Sequence, residues 1–152
     1  MGDIKSKEAR SENMRAIKSR DTKPEMVIRK CLFARGYRYR ISPKNIPGHP
    51  DIYLAKFNAA IFIHGCFWHR HQNCKYAYSP KSKVEFWEAK FATNIARDRI
   101  VSDQLSQDGI RQLIIWECAI KTFQRKRNPN NRLIDLVEEF LHSEIPYMEL
   151  RS

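Results

Sequence analysis

The sequence predicts an α/β sandwich around a mixed central sheet. Three observations lead there. Segments with a helical period alternate with short apolar runs of strand type between residues 23 and 141. Two of those runs are neighbours joined by a tight turn, so they pair antiparallel. Two runs, AAIFIH at 59–64 and LIIW at 113–116, are continuously apolar, as strands buried on both faces are. The length fits one domain, and a 42% apolar content is enough for a core.

The elements follow in order. A helix is expected over 23–35: Asp21 or Thr22 can cap it, Pro24 suits its first turn, and Glu25 favours the positive end of its dipole. Ile28, Cys31 and Leu32 share one face, and Gly36 is a left-handed stop. Residues 37–41 read as a short strand. SPKNIPGHP, with three prolines and a glycine, is a loop. Strands at 51–56 and 59–64 flank a Phe57-Asn58 turn. That turn pairs Lys56 with Ala59 and Asp51 with His64. Residues 65–83 show no period. A long helix over 84–107 carries Val84, Trp87, Phe91, Ile95, Val101 and Leu105 on one side, and Asp108-Gly109 ends it. A strand at 111–117 precedes KTFQRKRNPNNR, an exposed loop with five basic residues and no acid. The last helix covers 132–141.

Charge points to a partner. Lys and Arg outnumber Asp and Glu 28 to 17, for a net charge of +11, so a polyanion is the expected ligand. Residues 1–20 hold six basic and three acidic side chains and too few apolar ones for a core, so they form an arm that orders on a partner, with the main domain at 21–152. The longest apolar run is far too short to cross a bilayer, and MGDIKSKEAR lacks the apolar core of a secretion signal. A cytoplasmic location is expected, where the four cysteines stay reduced.

The densest chemistry is His64-Gly65-Cys66-Phe67-Trp68-His69-Arg70-His71-Gln72-Asn73-Cys74. Zinc takes four thiolate or imidazole ligands in a tetrahedron. Cys66 and Cys74 bracket a loop able to wrap an ion, and Cys118 completes a Cys₃His set if its strand neighbours 59–64. Spacing leaves His69 and His71 both open as the histidine. Cys31 lies on an apolar stripe and reads as a core thiol. Asp51, the carbonyl of Ile63 and water are oxygen ligands of the kind magnesium prefers.

RSENMRAIKSRDTKPE, PGHPDIYL, IFIHGCFWHRHQNC, EFWEAKFATNIARDR and IIWECAI, in that order over residues 10–121, resemble the bacterial very short patch repair endonucleases of the Vsr type. The resemblance implies a restriction-endonuclease-like fold with a zinc-stabilised loop. It also implies an enzyme that nicks DNA 5′ to the thymine of a T:G mismatch left by deamination of 5-methylcytosine. It makes Asp51 the magnesium ligand together with the Ile63 carbonyl. His69 becomes the catalytic histidine acting on the attacking water, with Glu25 contacting the ion's water shell and His64 supporting the metal edge. Structural zinc would take Cys66, His71, Cys74 and Cys118. The usual acid-x-Lys pair of this nuclease fold is absent, with Phe62-Ile63-His64 in its place.

By the same resemblance, Phe67, Trp68 and Trp87 wedge into the base stack, although helical spacing puts Trp87 on the apolar face with Phe91. Lys90, Asn94 and Arg97 match positions near the recognised bases, and the arm through Met14 closes on the DNA. The implied partners are duplex DNA with a T:G mismatch and mismatch-repair proteins, engaged by a monomer. A related restriction-type endonuclease acting on unmismatched DNA is the alternative.

Overall fold

The computed structural model describes residues 22–125 and 132–152. Helix α1 (Lys23–Ala34) starts at the expected cap: Thr22 Oγ1 accepts from the backbone N–H of Glu25, and Pro24 lies in the first turn. It stops where Arg35 N–H turns back to the carbonyls of Cys31 and Leu32, ahead of Gly36 at φ +92°.

Strands β1 (Ile52–Leu54), β2 (Ala59–His64), β3 (Arg111–Trp116) and β4 (Tyr147–Leu150) form one sheet in the order β1-β2-β3-β4. The β1–β2 pair is antiparallel and the other two pairs are parallel. Between them lie the one-turn helix α2 (Cys66–His69), the long helix α3 (Val84–Gln107), α4 (Glu117–Arg125) and α5 (Leu133–Leu141). On one face, Ile61, Leu113 and Ile115 pack with Ile28 and Leu32 of α1, Ile120 of α4, and Val137 and Phe140 of α5. On the other, Ala60, Phe62, Ile114 and Trp116 pack with Leu105 of α3 and with Cys66 and Cys118. Burial of β2 and β3 on both faces explains their unbroken apolar runs. No helix among the described residues is long and apolar enough to cross a membrane.

The structure departs from the expected elements at five places. Residues 37–41 make a single bridge, Arg40 to Tyr53, because Ser42 turns to φ +45° ahead of Pro43 and ends the pairing. The hairpin turn is longer than Phe57-Asn58. Ala55–Phe57 coil into a 3₁₀ turn closed by Asn58 at φ +51°, so Ile52 pairs with Ile61 and Leu54 with Ala59. The register is therefore two residues from the expected one, Lys56 is unpaired with Ala59, and Asp51 does not oppose His64. A two-residue shift leaves every side chain on its face.

On α3 only Phe91 and Leu105 are buried, while Val84 and Ile95 stand exposed. Glu117 opens α4 rather than ending β3, so 121–125 of the expected basic loop are helical and Cys118 sits in a helix. The four-residue edge strand β4, its side chains alternately exposed, gave too short a signal to be expected. Residues 126–131 of the basic loop, the 1–20 arm and Met14 lie outside the described residues.

Gly48 sits at φ +78°, and a Cβ there would meet Val101 Cγ1 at 2.5 Å and Phe62 Cε1 at 3.0 Å. Gly109 has a similar φ of +71° but nothing within 4 Å. Gly109→Ala therefore measures backbone strain alone, about 1 kcal/mol, and Gly48→Ala adds overpacking of about 1–3 kcal/mol. Chemical unfolding of both variants checks this; equal losses would show that the Val101 contact yields freely.

Candidate active site and metal centre

The end of β2 supplies most of the site. Asp51, just before β1, accepts a hydrogen bond at Oδ2 from the Ile63 backbone N–H at 2.7 Å. This fastens the carboxylate to the strand that carries His64. Glu25 reaches the same place from the first turn of α1. It is buried, and its Oε2 pairs with Arg29 Nη2 at 3.1 Å on the next turn. Burial pushes the Asp51 carboxyl up to about 7. The Ile63 N–H opposes that rise, and the adjacent Glu25, which also hydrogen-bonds to Asp51, adds to it. Crowding by a second carboxyl group disfavours the charged form of Asp51, and a nearby cation would favour it. A hard divalent ion fits this donor set, with Asp51 and the Ile63 carbonyl as protein oxygens and room for water in a cleft of about 400 Å³.

The histidines lie beside that cleft. His64 and His69 stack face to face, 3.9 Å between centroids and 7° from parallel. Burial, and then the neighbouring His69, push the His64 imidazole down to about 3, so it is neutral at physiological pH. His69 Nδ1 lies 2.7 Å from Asp98 Oδ2 on α3. With Nδ1 held as the donor, Nε2 is left free to accept a proton. Asp98 was missed in the sequence. No spacing rule links it to a histidine 29 positions earlier.

A second cluster lies beyond β2 and β3. Single ligand atoms of Cys66, His71, Cys74 and Cys118 all fall within 4.8 Å of one another, and Cys118 Sγ is 3.4 Å from His71 Nε2. Ligands around a tetrahedral zinc stand roughly 3.3–3.8 Å apart. His71 Nδ1 faces the Gln72 carbonyl at 3.2 Å, which leaves Nε2 as the ligating atom. Burial pushes the Cys66 thiol well up. Burial acts the same way on Cys118, but hydrogen bonds from Ser152, Cys66 and Cys74 outweigh it, and its thiol lies below the usual value. Three thiols and an imidazole around one point fit a soft-ligand metal, and His69 is absent from the set. Cys31 lies apart, packed against the core.

Phe67, Trp68 and Trp87 meet as one aromatic group, with Phe67 centred 5.1 Å from Trp68 and 5.4 Å from Trp87. All three are half-buried. Trp87 is thus neither a core residue nor a free one. Beside them a second cleft, about 490 Å³, is lined by Glu25, Trp68, His69, Lys90, Asn94 and Arg97 among others. Lys90 and Arg97 are exposed there. Asn94 is already engaged: its amide donates to the Trp68 carbonyl at 3.1 Å.

A mixed sheet flanked by helices, with carboxylates and histidines at one strand end, defines a nuclease of the restriction-endonuclease type. Comparison with known proteins agrees. The family model for "DNA mismatch endonuclease Vsr" matches residues 2–75. The type II nicking enzyme V.NmeAIP of Neisseria meningitidis is 40% identical over 91% of this chain and 99% of its own. The DNA mismatch endonuclease Vsr of Escherichia coli is 38% identical over 95% of this chain and 90% of its own. The type II nicking enzyme V.XorIIP of Xanthomonas oryzae is 38% identical over 79% and 88%. The chain belongs to the Vsr family, and it is a DNA endonuclease.

The raised Asp51 pKa has a testable sign. In the unfolded chain this carboxyl ionises near pH 4. In the fold it stays protonated up to about 7. Stability from Asp51 is thus present below about pH 4 and is lost as pH rises toward 7. Asp51→Asn keeps an acceptor for the Ile63 N–H and removes the charge. In buffer free of divalent cations the variant should match the parent near pH 4 and exceed it by up to roughly 4 kcal/mol at pH 8 in urea unfolding. An advantage independent of pH would contradict the assignment.

Proposed function

We propose that this endonuclease nicks one strand of duplex DNA on the 5′ side of the thymine in a T:G mismatch, in very short patch repair of deaminated 5-methylcytosine, and that it uses magnesium. The observation that carries the reading is the meeting of Asp51, Glu25 and the His69–Asp98 pair in one cleft beside a half-buried aromatic group. The printed name of the E. coli relative, a DNA mismatch endonuclease, supports the mismatch, and the nicking enzymes support a single-strand cut.

Asp51 and the Ile63 carbonyl would hold magnesium, with Glu25 contacting its water shell. When bound, the ion supplies positive charge to the phosphate as charge builds during in-line attack. His69 Nε2 takes the proton of the attacking water, and Asp98 steadies the imidazolium that results. His64, held neutral, covers one face of His69 and keeps its orientation. No lysine stands at the edge of β2 to act as base, so the histidine fills that role. Phe67, Trp68 and Trp87 enter the base stack, where a mismatched step opens at less cost than a paired one. Lys90 and Arg97, exposed at the second cleft, would grip phosphates, and the 1–20 arm with Met14 would close over the duplex. The Cys66–His71–Cys74–Cys118 cluster holds structural zinc. The enzyme works as a monomer in the bacterial cytoplasm, with mismatch-repair proteins as further partners.

The names of the nicking relatives keep one other substrate in play, fully paired DNA. Duplexes identical except for A:T, G:C or T:G at one position separate the two. T:G-specific nicking with magnesium is expected, and equal cutting of paired duplexes would replace the proposal with a restriction-type activity. Asp51→Ala should abolish nicking and leave DNA binding within about threefold, because the phosphate contacts come from basic side chains.

Metal analysis tests the second cluster. One zinc per chain is expected, lost in Cys74→Ala together with a fall in melting temperature. A fully stable protein free of zinc would remove that assignment.

A further inference from the structure

Phe67 has a fourth ring beside it. Tyr78 is centred 5.0 Å from Phe67, about as close as Trp68, Trp87 or Phe91. At 61% it is the most exposed large apolar or aromatic side chain among the described residues. Nothing in the core requires it, and its segment, residues 75–83, has no helix or strand to hold it.

What holds it is Arg70. This residue adopts φ +60°, a costly conformation for a side chain other than glycine. Its Nη1 donates to the Phe67 carbonyl at 3.1 Å, and its Nη2 donates to the Tyr78 carbonyl at 3.0 Å and to the Ala77 carbonyl. The guanidinium also lies 3.8 Å over the ring of Phe91 on α3. One side chain therefore ties together the α2 turn, the Tyr78 segment and the long helix. A planar fork with several donors and a stackable face can do this, and the single ammonium of lysine cannot. Three of its five donors are committed to backbone carbonyls.

We propose that Tyr78 is a fourth ring of the DNA-facing aromatic surface, stacking on a base next to the mismatch, and that Arg70 is the positioning residue that holds it against Phe67. The inference rests on the wedge reading of Phe67 and Trp68. An exposed ring packed on Phe67, with its backbone held by a half-buried arginine, has the form of a stacking platform, which gains affinity from any base because every base has a π-face.

The test is binding of the full-length protein to a T:G duplex at several salt concentrations, with melting temperature measured in parallel. Tyr78→Ala and Tyr78→Leu should each weaken binding about tenfold with an unchanged salt slope, and Tyr78→Phe should bind as the parent does. Leucine fills the space beside Phe67 but cannot stack, so Tyr78→Leu should keep its melting temperature while losing affinity. If Tyr78→Leu binds normally, Tyr78 merely packs on Phe67 and the proposal falls. Arg70→Lys retains the charge and removes the fork, so it should lose affinity as Tyr78→Ala does, again with the parental salt slope. Normal binding by Arg70→Lys, or a loss confined to the salt slope, overturns its role as a clamp. Phe67→Ala is the control. If it leaves T:G binding intact, the wedge reading itself fails; if it weakens binding while the Tyr78 variants do not, only the present proposal fails.

Discussion

The site depends on the parallel pairing of β2 with β3. That register sets His64 opposite Trp116. Two residues further along each chain come Cys66 and Cys118, so the pairing alone brings two distant thiols side by side at the top of the sheet. The ladder also delivers Ile63 and His64 to the same edge that receives Asp51 from β1. Metal cluster and cleft are thus two consequences of one ladder. A register slip in β2 would exchange its two faces and dissolve both at once.

Electrostatics in the cleft follow from where the surrounding helices start and run. α1 brings Glu25 in at its N-terminal turn and lays Arg29 under it four residues later. α3 brings Asp98 to His69 from the opposite side. Asp51 is therefore pressed toward neutrality by burial and Glu25, while Asp98 lies against an imidazole. On the proposed reading, the crowded carboxyls are the place for a cation and the carboxylate-braced histidine the place for a proton.

Much of this was legible in the sequence, and particular residues show why. The limits of α1, α3 and β2 follow from Thr22, Gly36, Asp108 and an unbroken apolar run, all local signals. The cysteine and histidine spacing pointed to a metal cluster but left His69 and His71 open, because choosing between them requires the direction of each side chain. The α2 turn makes that choice: it aims His69 at Asp98 and leaves His71 to face Cys118. Asp98, Arg70 and Tyr78 were hidden for the same reason. Their partners lie in other elements, and one sequence carries no record of such pairing. The hairpin register was missed because Asn58 accepts a left-handed φ and lengthens the turn.

The aromatic group shows how polar residues set what the apolar ones can do. Arg70 is one of the chain's many cations, and the family resemblance matches Asn94 to a position near the recognised bases. Both have donors committed to backbone carbonyls of the wedge loop, Arg70 at Phe67 and Asn94 at Trp68. The loop has little core of its own beyond Cys66, so these bonds, α3 and the cysteine cluster must hold it. A ring entering a base stack gains only if it loses little freedom in doing so, since ordering a side chain and its loop costs free energy that stacking must exceed. Bracing the loop in advance reduces that cost. The exposed cations remaining, Lys90 and Arg97 among them, are then free for salt-sensitive and sequence-independent contact with phosphates. On the proposed reading, grip and discrimination are divided between cations that face solvent and two polar side chains, Arg70 and Asn94, that hold the loop carrying the neutral rings.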